Sequence, residues 1–485
     1  MYCRGEGSNA VTALCAKLLA QYQQAAAYLN GLIQGPPSPP PGATPEQIRA
    51  RAQARLARLR RFLEFLGRPH ESYPTVHVTG TSGKGSTATF IASILTAAGY
   101  HVGLHTSPYL QVETEKLQLD RALLPADRFA RYVAELDQAI QRWNARGEER
   151  LTYGECWTAL TFLAFAEERV DIAVIEVGVG GRFDLTNVIM PEVAVITSVG
   201  LDHVRTLGPT IRDIAWHKAG ILKPGRPGVT TVTDPELLEI IRREAETVGA
   251  PLDIVQPEHD YALLRCDATG TWLLDYRRKT VFQLGLLGKF QIPNAAAALA
   301  AVEKLGHLPR GPITTDVVRR GLAEARIPGR FEIVQTSPTV ILDGAHNPDK
   351  MRGLLESLAC LPQPSRRILV FGVLEGHDAL TMARLLAPHI TMAIVTTPQA
   401  LERPAADPAA LAGCFADAQV PVQIVPLPQD AIAQALALAA PDDQIIVTGS
   451  LYLVGQVRER WYPHEAMICA ATPWPAPAVT QAPCS

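Results

Sequence analysis

The run Thr75-Val-His-Val-Thr79 leads straight into Gly80-Thr81-Ser82-Gly83-Lys84-Gly85-Ser86, and a helical stretch follows from Ser86 to Ala98. No other segment narrows the fold as much. A strand, a glycine-rich turn and a helix in that order form the context a phosphate-binding loop requires. Glycines let backbone N–H groups face phosphate oxygens without Cβ clashes, and the helix N-terminus adds partial positive charge. Lys84 is placed to reach terminal phosphates, and Ser86 follows where a metal-proximal hydroxyl would sit. The spacing is not the usual GxxxxGK[ST]: position 78 is Val, and Gly85 separates the lysine from the hydroxyl. A plain strand–helix turn is the competing reading.

Further strands surround this unit. The segments 172–177 and 193–199 are short, β-branched and bounded by polar or glycine-containing turns, as buried parallel strands are. Helical patterns cover 157–168 and 294–305. A second set of strands, at 340–342, 367–371, 392–395 and 444–447, follows Arg330. The reading is α/β: an N-terminal, mostly parallel sheet domain carrying the phosphate loop, over 43–327, and a smaller C-terminal Rossmann-like α/β domain over 328–465. Ahead of them lies an extension, 1–42, with a short helix around 22–32 and a Pro-rich spacer at 36–41. The Pro- and Ala-rich stretch 466–485 is expected to be poorly ordered. The arginine-rich segment 48–66 reads as an amphipathic helix with a solvated basic face.

A chain of 485 residues with 47% hydrophobic content can build several cores. Its formal charge of -3 gives no general affinity for nucleic acid or an anionic membrane. No apolar run spans a bilayer; the stretch from Val11 to Ala20 is interrupted by Lys17 and reads as a surface helix rather than a signal peptide. None of the eight cysteines shows CxxC spacing, so free thiols in a reducing cytoplasm are expected.

Three more segments carry chemistry. Asp171-Ile-Ala-Val-Ile-Glu176 delivers a carboxylate to the C-terminal end of a strand, the edge where ligands bind in parallel sheets. Glu176 could hold Mg²⁺ or be satisfied by neighbouring glycine amides. Ile196 to His203 is another strand ending in polar groups. Lys218, in Trp216-His217-Lys218, reads equally as a surface cation or as a group near the ATP γ-phosphate.

Taken together these motifs resemble the folylpolyglutamate synthase / dihydrofolate synthase family of the Mur ligase superfamily, from about Tyr22 to about Trp461. Residues 80–86 are similar to its GTNGKGS loop, and Thr106–Leu110 to TSPHL. Residues 176–187, EVGVGGRFDLTN, are similar to EVGLGGRLDATN. Asp202-His203, Lys218–Ile221, Gly288–Ala295, Pro328–Glu332, Leu342–Pro348 and Gly449–Tyr452 match later motifs in the family's order. The resemblance implies that Gly80, Thr81, Gly83, Lys84, Gly85 and Ser86 wrap the ATP phosphates and that Ser107, Glu176 and His203 ligate Mg²⁺. It implies that Lys218 is carbamylated, that Asn294, Arg330 and Asp343 contact ATP, and that His346 lies near the γ-phosphate. Lys84, Lys218 and His346 are the implied catalytic groups. Thr152, Glu155, Gly181, Arg182 and Phe183 fall where the family binds its pterin.

The implied reaction is ATP- and Mg²⁺-dependent addition of L-glutamate to dihydropteroate, to reduced folate, or to both, by a cytoplasmic monomer of folate biosynthesis and one-carbon metabolism. Some positions depart from the pattern. Tyr109 and Phe290 each replace a histidine, and Gly376-His377-Asp378 stands where the family has DKD. These departures bear on the acceptor and glutamate sites. The rival readings are a Mur-type ligase with another acceptor and an ATP-binding regulator without catalysis; the presence of Lys84, Glu176, His203 and Lys218 argues against the second.

Overall fold

The computed structural model of the chain describes residues 6–33, 42–306, 308, 313–400 and 403–476. Strands β1 (Thr75–Thr79), β2 (Val102–His105), β3 (Gln118–Leu119), β4 (Ala122–Leu123), β5 (Ile172–Glu176), β6 (Val193–Ile196), β7 (Gly228–Thr230) and β8 (Leu252–Ile254) form one sheet. Its order is β4-β3-β2-β5-β1-β6-β7-β8, and the pairs from β2 to β8 are parallel. Every residue of β1 and β5 is buried, which a sheet covered on both faces demands. Alternate residues of β5 serve opposite cores: Ile172 and Val174 pack into one, Ala173 and Ile175 into the other.

Helices α1 (Glu6–Gly31), α2 (Pro45–Phe65), α3 (Lys84–Ala97), α4 (Ala126–Ala145) and α5 (Tyr153–Glu167) account for the first part of these layers. A Thr44 capping box with Pro45 at the first turn starts α2, and Leu56, Leu59, Phe62 and Leu63 form its buried stripe, as its periodicity predicts. An antiparallel sheet of β9 (Tyr261–Asp267), β10 (Gly270–Asp275) and β11 (Thr280–Leu284) packs against the same body.

The C-terminal domain is a six-stranded sheet of β12 (Glu332–Thr336), β13 (Thr339–Leu342), β14 (Arg367–Phe371), β15 (Met392–Val395), β16 (Val422–Ile424) and β17 (Gln444–Thr448). Its order is β12-β13-β17-β14-β15-β16, with only β12 antiparallel. Ile341, Leu369 and Ile446 fill one side and Val340, Ile368 and Ile445 the other. The α/β fold class read from the sequence is the observed one.

Three expectations need correction. The N-terminal helix is not confined to 22–32: α1 starts at Glu6, and Tyr22, Ala25 and Leu29 bury against α4. Residues 466–476 are not loose, and 477–485 lie outside the described residues. A helix at His464–Ala470 inserts Met467 and Ile468 into the core shared with α1 and α4, and the Ala471 carbonyl accepts from Leu123 N–H at 2.9 Å. The thiols are not all free: Cys15 and Cys469 form a disulfide joining α1 to that terminal helix, whereas Cys156, Cys266, Cys360 and Cys414 are free. The Pro-rich run 36–41 lies outside the described residues.

Candidate active site

Strand order sets the site. Because β5, β1 and β6 are neighbours, the phosphate loop after β1, Glu176 at the end of β5 and the turn after β6 meet at one sheet edge. Ser107 arrives from β2, the strand beyond β5. The loop is braced by residues 197–200. Thr81 N–H donates to the Ser198 carbonyl and Ser82 N–H to Ser198 Oγ, each at 2.9 Å, and Thr197 Oγ1 donates to the Ser82 carbonyl at 2.6 Å. Lys84 begins α3, and its Nζ folds back on the Gly80 carbonyl at 3.1 Å. Gly83, at φ 83°, packs against Asn294, so the loop and the Gln291–Glu303 helix fix one another.

Glu176 is the carboxylate of this edge. Its Oε2 accepts from Ser107 N–H at 2.9 Å, and it lies against Gly85. Burial raises its pKa, opposed by Lys84, the Ser107 amide and Arg330. His203, half exposed and in the left-handed region at φ 50°, lines the same cleft. No cage of three or more His, Cys, Asp or Glu side chains exists among the described residues. Mg²⁺ does not need one: it keeps several waters and takes one or two carboxylates plus phosphate oxygens. A buried carboxylate beside a phosphate loop fits that donor chemistry. Lys218, at the end of the Ile211–Ala219 helix, is buried and does not itself line the cleft. Burial first, then Lys84, hold its pKa well below the ordinary amine range, against the pull of Asp202.

The opposite wall comes from the C-terminal domain. The cleft between the two domains holds about 470 Å³, and Arg330, Asp343, His346 and Asn294 line it together with the phosphate loop. Asp343 is buried at the end of β13; its carboxylate accepts from the Phe331 and Ala345 amides, both at 2.9 Å. Burial raises its pKa and Arg330 opposes the rise. A methyl group at Gly344 would crowd the Arg330 guanidinium. His346 Nδ1 donates to the Gly344 carbonyl at 2.8 Å, which leaves Nε2 to accept from Lys350 Nζ at 2.9 Å.

Thus Gly83, Lys84, Gly85, Ser86, Thr81, Ser107, Glu176, His203, Asn294, Arg330, Asp343 and His346 share one cleft, with Gly80 immediately behind it. Thr152, Glu155, Gly181, Arg182 and Phe183 do not line it. Arg58 Nε and Nη2 engage both Glu155 oxygens, at 2.9 and 2.8 Å, and Thr152 donates to the same carboxylate. That pair, with Glu155 fully buried and Arg58 partly exposed, locks α2 to α5, a structural duty that the sequence motif does not reveal. Arg182 stacks on Trp216 at 4.1 Å and pairs with Glu244 at 2.7 Å, while the Phe183 ring meets Trp216 and His217 edge-on. The sequence reading missed Lys350. It lies in a charged first helical turn whose sequence, Asn-Pro-Asp-Lys, looks solvated, and only the apposition of two domains encloses it.

Comparison with known proteins agrees with this geometry. The Mur ligase middle domain profile matches residues 78–302, and the Mur ligase glutamate ligase domain profile matches 329–451. The chain is 35% identical over 410 residues to the folylpolyglutamate synthase of Lacticaseibacillus casei, covering 83% of this chain and 93% of that one. It is 35% identical over 416 residues to the dihydrofolate synthase/folylpolyglutamate synthase of Bacillus subtilis, covering 84% and 94%. The structure of Mycobacterium tuberculosis folylpolyglutamate synthase with ADP superposes with a TM-score of 0.78 at 30% identity, covering 92% of this chain and 99% of that chain. Profiles, relatives and the two-domain cleft agree: the chain belongs to the folylpolyglutamate synthase / dihydrofolate synthase family of amide-bond-forming Mur-type ligases.

Proposed function

We propose that the chain joins L-glutamate to the carboxylate of a reduced folate, of dihydropteroate, or of both, using ATP. The observation that carries this reading is the convergence, in one cleft, of the phosphate loop, the Glu176 carboxylate and the Arg330–Asp343–His346 wall of the second domain. A carboxylate is a poor electrophile, so it must first take a phosphoryl group. The acceptor oxygen attacks the γ-phosphorus, the bond to the β-phosphate oxygen breaks, and ADP leaves with the electron pair. The glutamate amine then attacks the acyl carbon, loses a proton, and expels phosphate.

This chain's residues meet the demands of both steps. The loop amides and Lys84 hold the phosphates, and Arg330 adds charge from the other domain where it develops. Glu176, the Ser107 hydroxyl and His203 would hold Mg²⁺, which when bound supplies charge neutralisation at the phosphates. Lys218 is the site proposed for carbamylation: burial lowers the pKa of its amine, which favours the neutral form that adds carbon dioxide. Closure of the domains excludes the water that would hydrolyse the acyl phosphate. The pterin is assigned to the neighbourhood of Phe183 and Thr152, outside the nucleotide cleft; Glu155 would serve there by positioning α5, since Arg58 occupies its carboxylate.

Among the described residues no helix is long and apolar enough to cross a membrane; a cytoplasmic monomer is proposed from the family resemblance alone. Product mass tests the assignment. With ATP, Mg²⁺ and L-glutamate, dihydropteroate gains one glutamyl unit if the chain is a dihydrofolate synthase, and tetrahydrofolate gains one or more if it extends polyglutamates. No gain with either acceptor overturns the reading.

A further inference from the structure

Lys350 belongs to the Pro348–Leu358 helix of the C-terminal domain, and its Nζ projects into the cleft opposite the phosphate loop. Its surroundings are unusual for an ammonium. The close partner is the Nε2 of His346 at 2.9 Å, a neutral imidazole whose other nitrogen is committed to the Gly344 carbonyl. The nearest carboxylate oxygen is Asp202 Oδ2, on the other domain, at 3.9 Å. Among the described residues it has no closer counterion. A largely enclosed cation is costly unless paired, so the arrangement is complete only when an anion enters.

The position identifies that anion. The Lys350 charge is felt by Glu176, His203 and Lys218 of the first domain and by Asp343, His346 and His377 of the second. Of those groups Glu176, His203, Asp343 and His346 line the cleft with Lys350, ringing the place where the phosphate loop, the carboxylate edge and the second domain meet. A cation central to that ring lies where the terminal phosphoryl group passes between nucleotide and acceptor. His377 supplies a second reason: it stands where the family's DKD motif carries a lysine, and its ring packs on His346 at 5.3 Å. Lys350 thus places an amine on a wall that lacks one at 377; burial draws its pKa down to about 7 against the pull of Asp202, and an entering anion would favour its charged form.

We propose that Lys350 is a catalytic residue of this ligase, its ammonium contacting the oxygens of the phosphoryl group during transfer from ATP to the acceptor carboxylate and during departure as phosphate. The inference deepens the ligase reading and rests on it for the identity of the acceptor, but not for the nucleotide contact. His346 acts as the positioning residue, holding Nζ through Nε2. Because Lys350 reaches across from the C-terminal domain to the Asp202 side, γ-phosphoryl binding and domain closure are linked through it.

The test compares nucleotide binding and turnover for Lys350→Met, Lys350→Arg and a matched control, Arg352→Met, which removes an exposed cation of the same helix. A γ-phosphoryl contact requires that Lys350→Met weaken binding of β,γ-methylene-ATP while leaving ADP affinity unchanged. Turnover should fall on the order of 100-fold, as removal of one charge-stabilising donor does. Lys350→Arg should recover part of the turnover, and Arg352→Met should match the parent. Equal loss of ADP and ATP-analogue binding, or unchanged turnover in Lys350→Met, overturns the proposal. The nucleotide measurements need no acceptor, so a failure of the folate assignment leaves them readable. If Lys350→Met does not fold, Lys350→Arg and Lys350→Gln are compared in the same two binding assays.

Discussion

At Gly83 the backbone takes φ 83°, and a methyl group would overlap the Asn294 side-chain oxygen. Gly83→Ala therefore strains the loop twice, by conformation and by contact. We expect ATP affinity to drop on the order of tenfold or more, consistent with the ~1–3 kcal/mol cost of such strain, with the rest of the fold intact. Unchanged nucleotide affinity by calorimetry would refute this account of the loop. Lys116 gives a residue-level test by pH. It is stacked over Trp157 at 3.7 Å, and burial holds its pKa down at about 7 against the pull of Glu113. The unfolded chain then binds a proton between about pH 7 and 10 that the folded chain does not, so stability rises with pH across that window and falls as pH drops towards 7. Lys116→Met should flatten that part of a denaturation–pH curve and leave the region below pH 6 parallel to the parent. At this scale legibility depended on contiguity. The positions of Lys84 and Glu176 at strand ends were readable from short motifs, and that of Asp343 from the family resemblance. The duty of Glu155 to Arg58 was not, because its partner is 97 residues away, and Lys350 was not, because its enclosure is made by two domains.

Among the elements, β1 at Thr75–Thr79 and β14 at Arg367–Phe371 lie where their β-branched, apolar runs predict them. Both are central strands buried on two faces; β14 shows this as a continuous apolar run after Arg367, whereas β1 shows it as β-branched Thr and Val around His77. The terminal elements were harder to read. The first half of α1 has little apolar stripe, and its packing against α4 and the His464–Ala470 helix depends on residues hundreds of positions away. Composition made 466–476 look loose, but Met467 and Ile468 fill a site that only the assembled helices create. The Cys15–Cys469 bridge closes across 454 residues of sequence and pins these two helices together. We expect Cys469→Ser, or reduction of the parent, to lower stability by on the order of 2–4 kcal/mol through the freed unfolded chain. The change should appear as faster hydrogen exchange in α1 and in His464–Ala470, with the phosphate loop unaffected. Identical exchange with and without reductant would show that the bridge carries none of that packing.

Across the whole molecule, a handful of residues connect the two domains outside the cleft. Arg458 is fully buried; its guanidinium donates to Glu332 at 2.9 Å, to Gln111 of the first domain at 2.6 Å and to the Pro473 carbonyl at 2.9 Å. It joins both domains and the C-terminal segment at one point. Arg458→Met leaves the Glu332 carboxylate without its main partner, and we expect a loss of about 3–5 kcal/mol in chemical denaturation, as for a broken buried pair. A loss under about 1 kcal/mol would place the junction's stability elsewhere. A second series of strands restarting after Arg330 is legible in the sequence, and β12 to β17 form a separate sheet. The closeness of the two halves is not legible, since interface residues such as Gln111 and Arg458 carry no periodic signal. Phosphoryl transfer to the acceptor carboxylate within this cleft is the central step of the proposed reaction. The direct measurement uses an acceptor whose carboxylate carries ¹⁸O, with ATP, Mg²⁺ and L-glutamate, followed by mass analysis of the released phosphate. An acyl phosphate route requires one labelled oxygen to appear in each phosphate formed with an amide bond. Unlabelled phosphate accompanying amide product would contradict it.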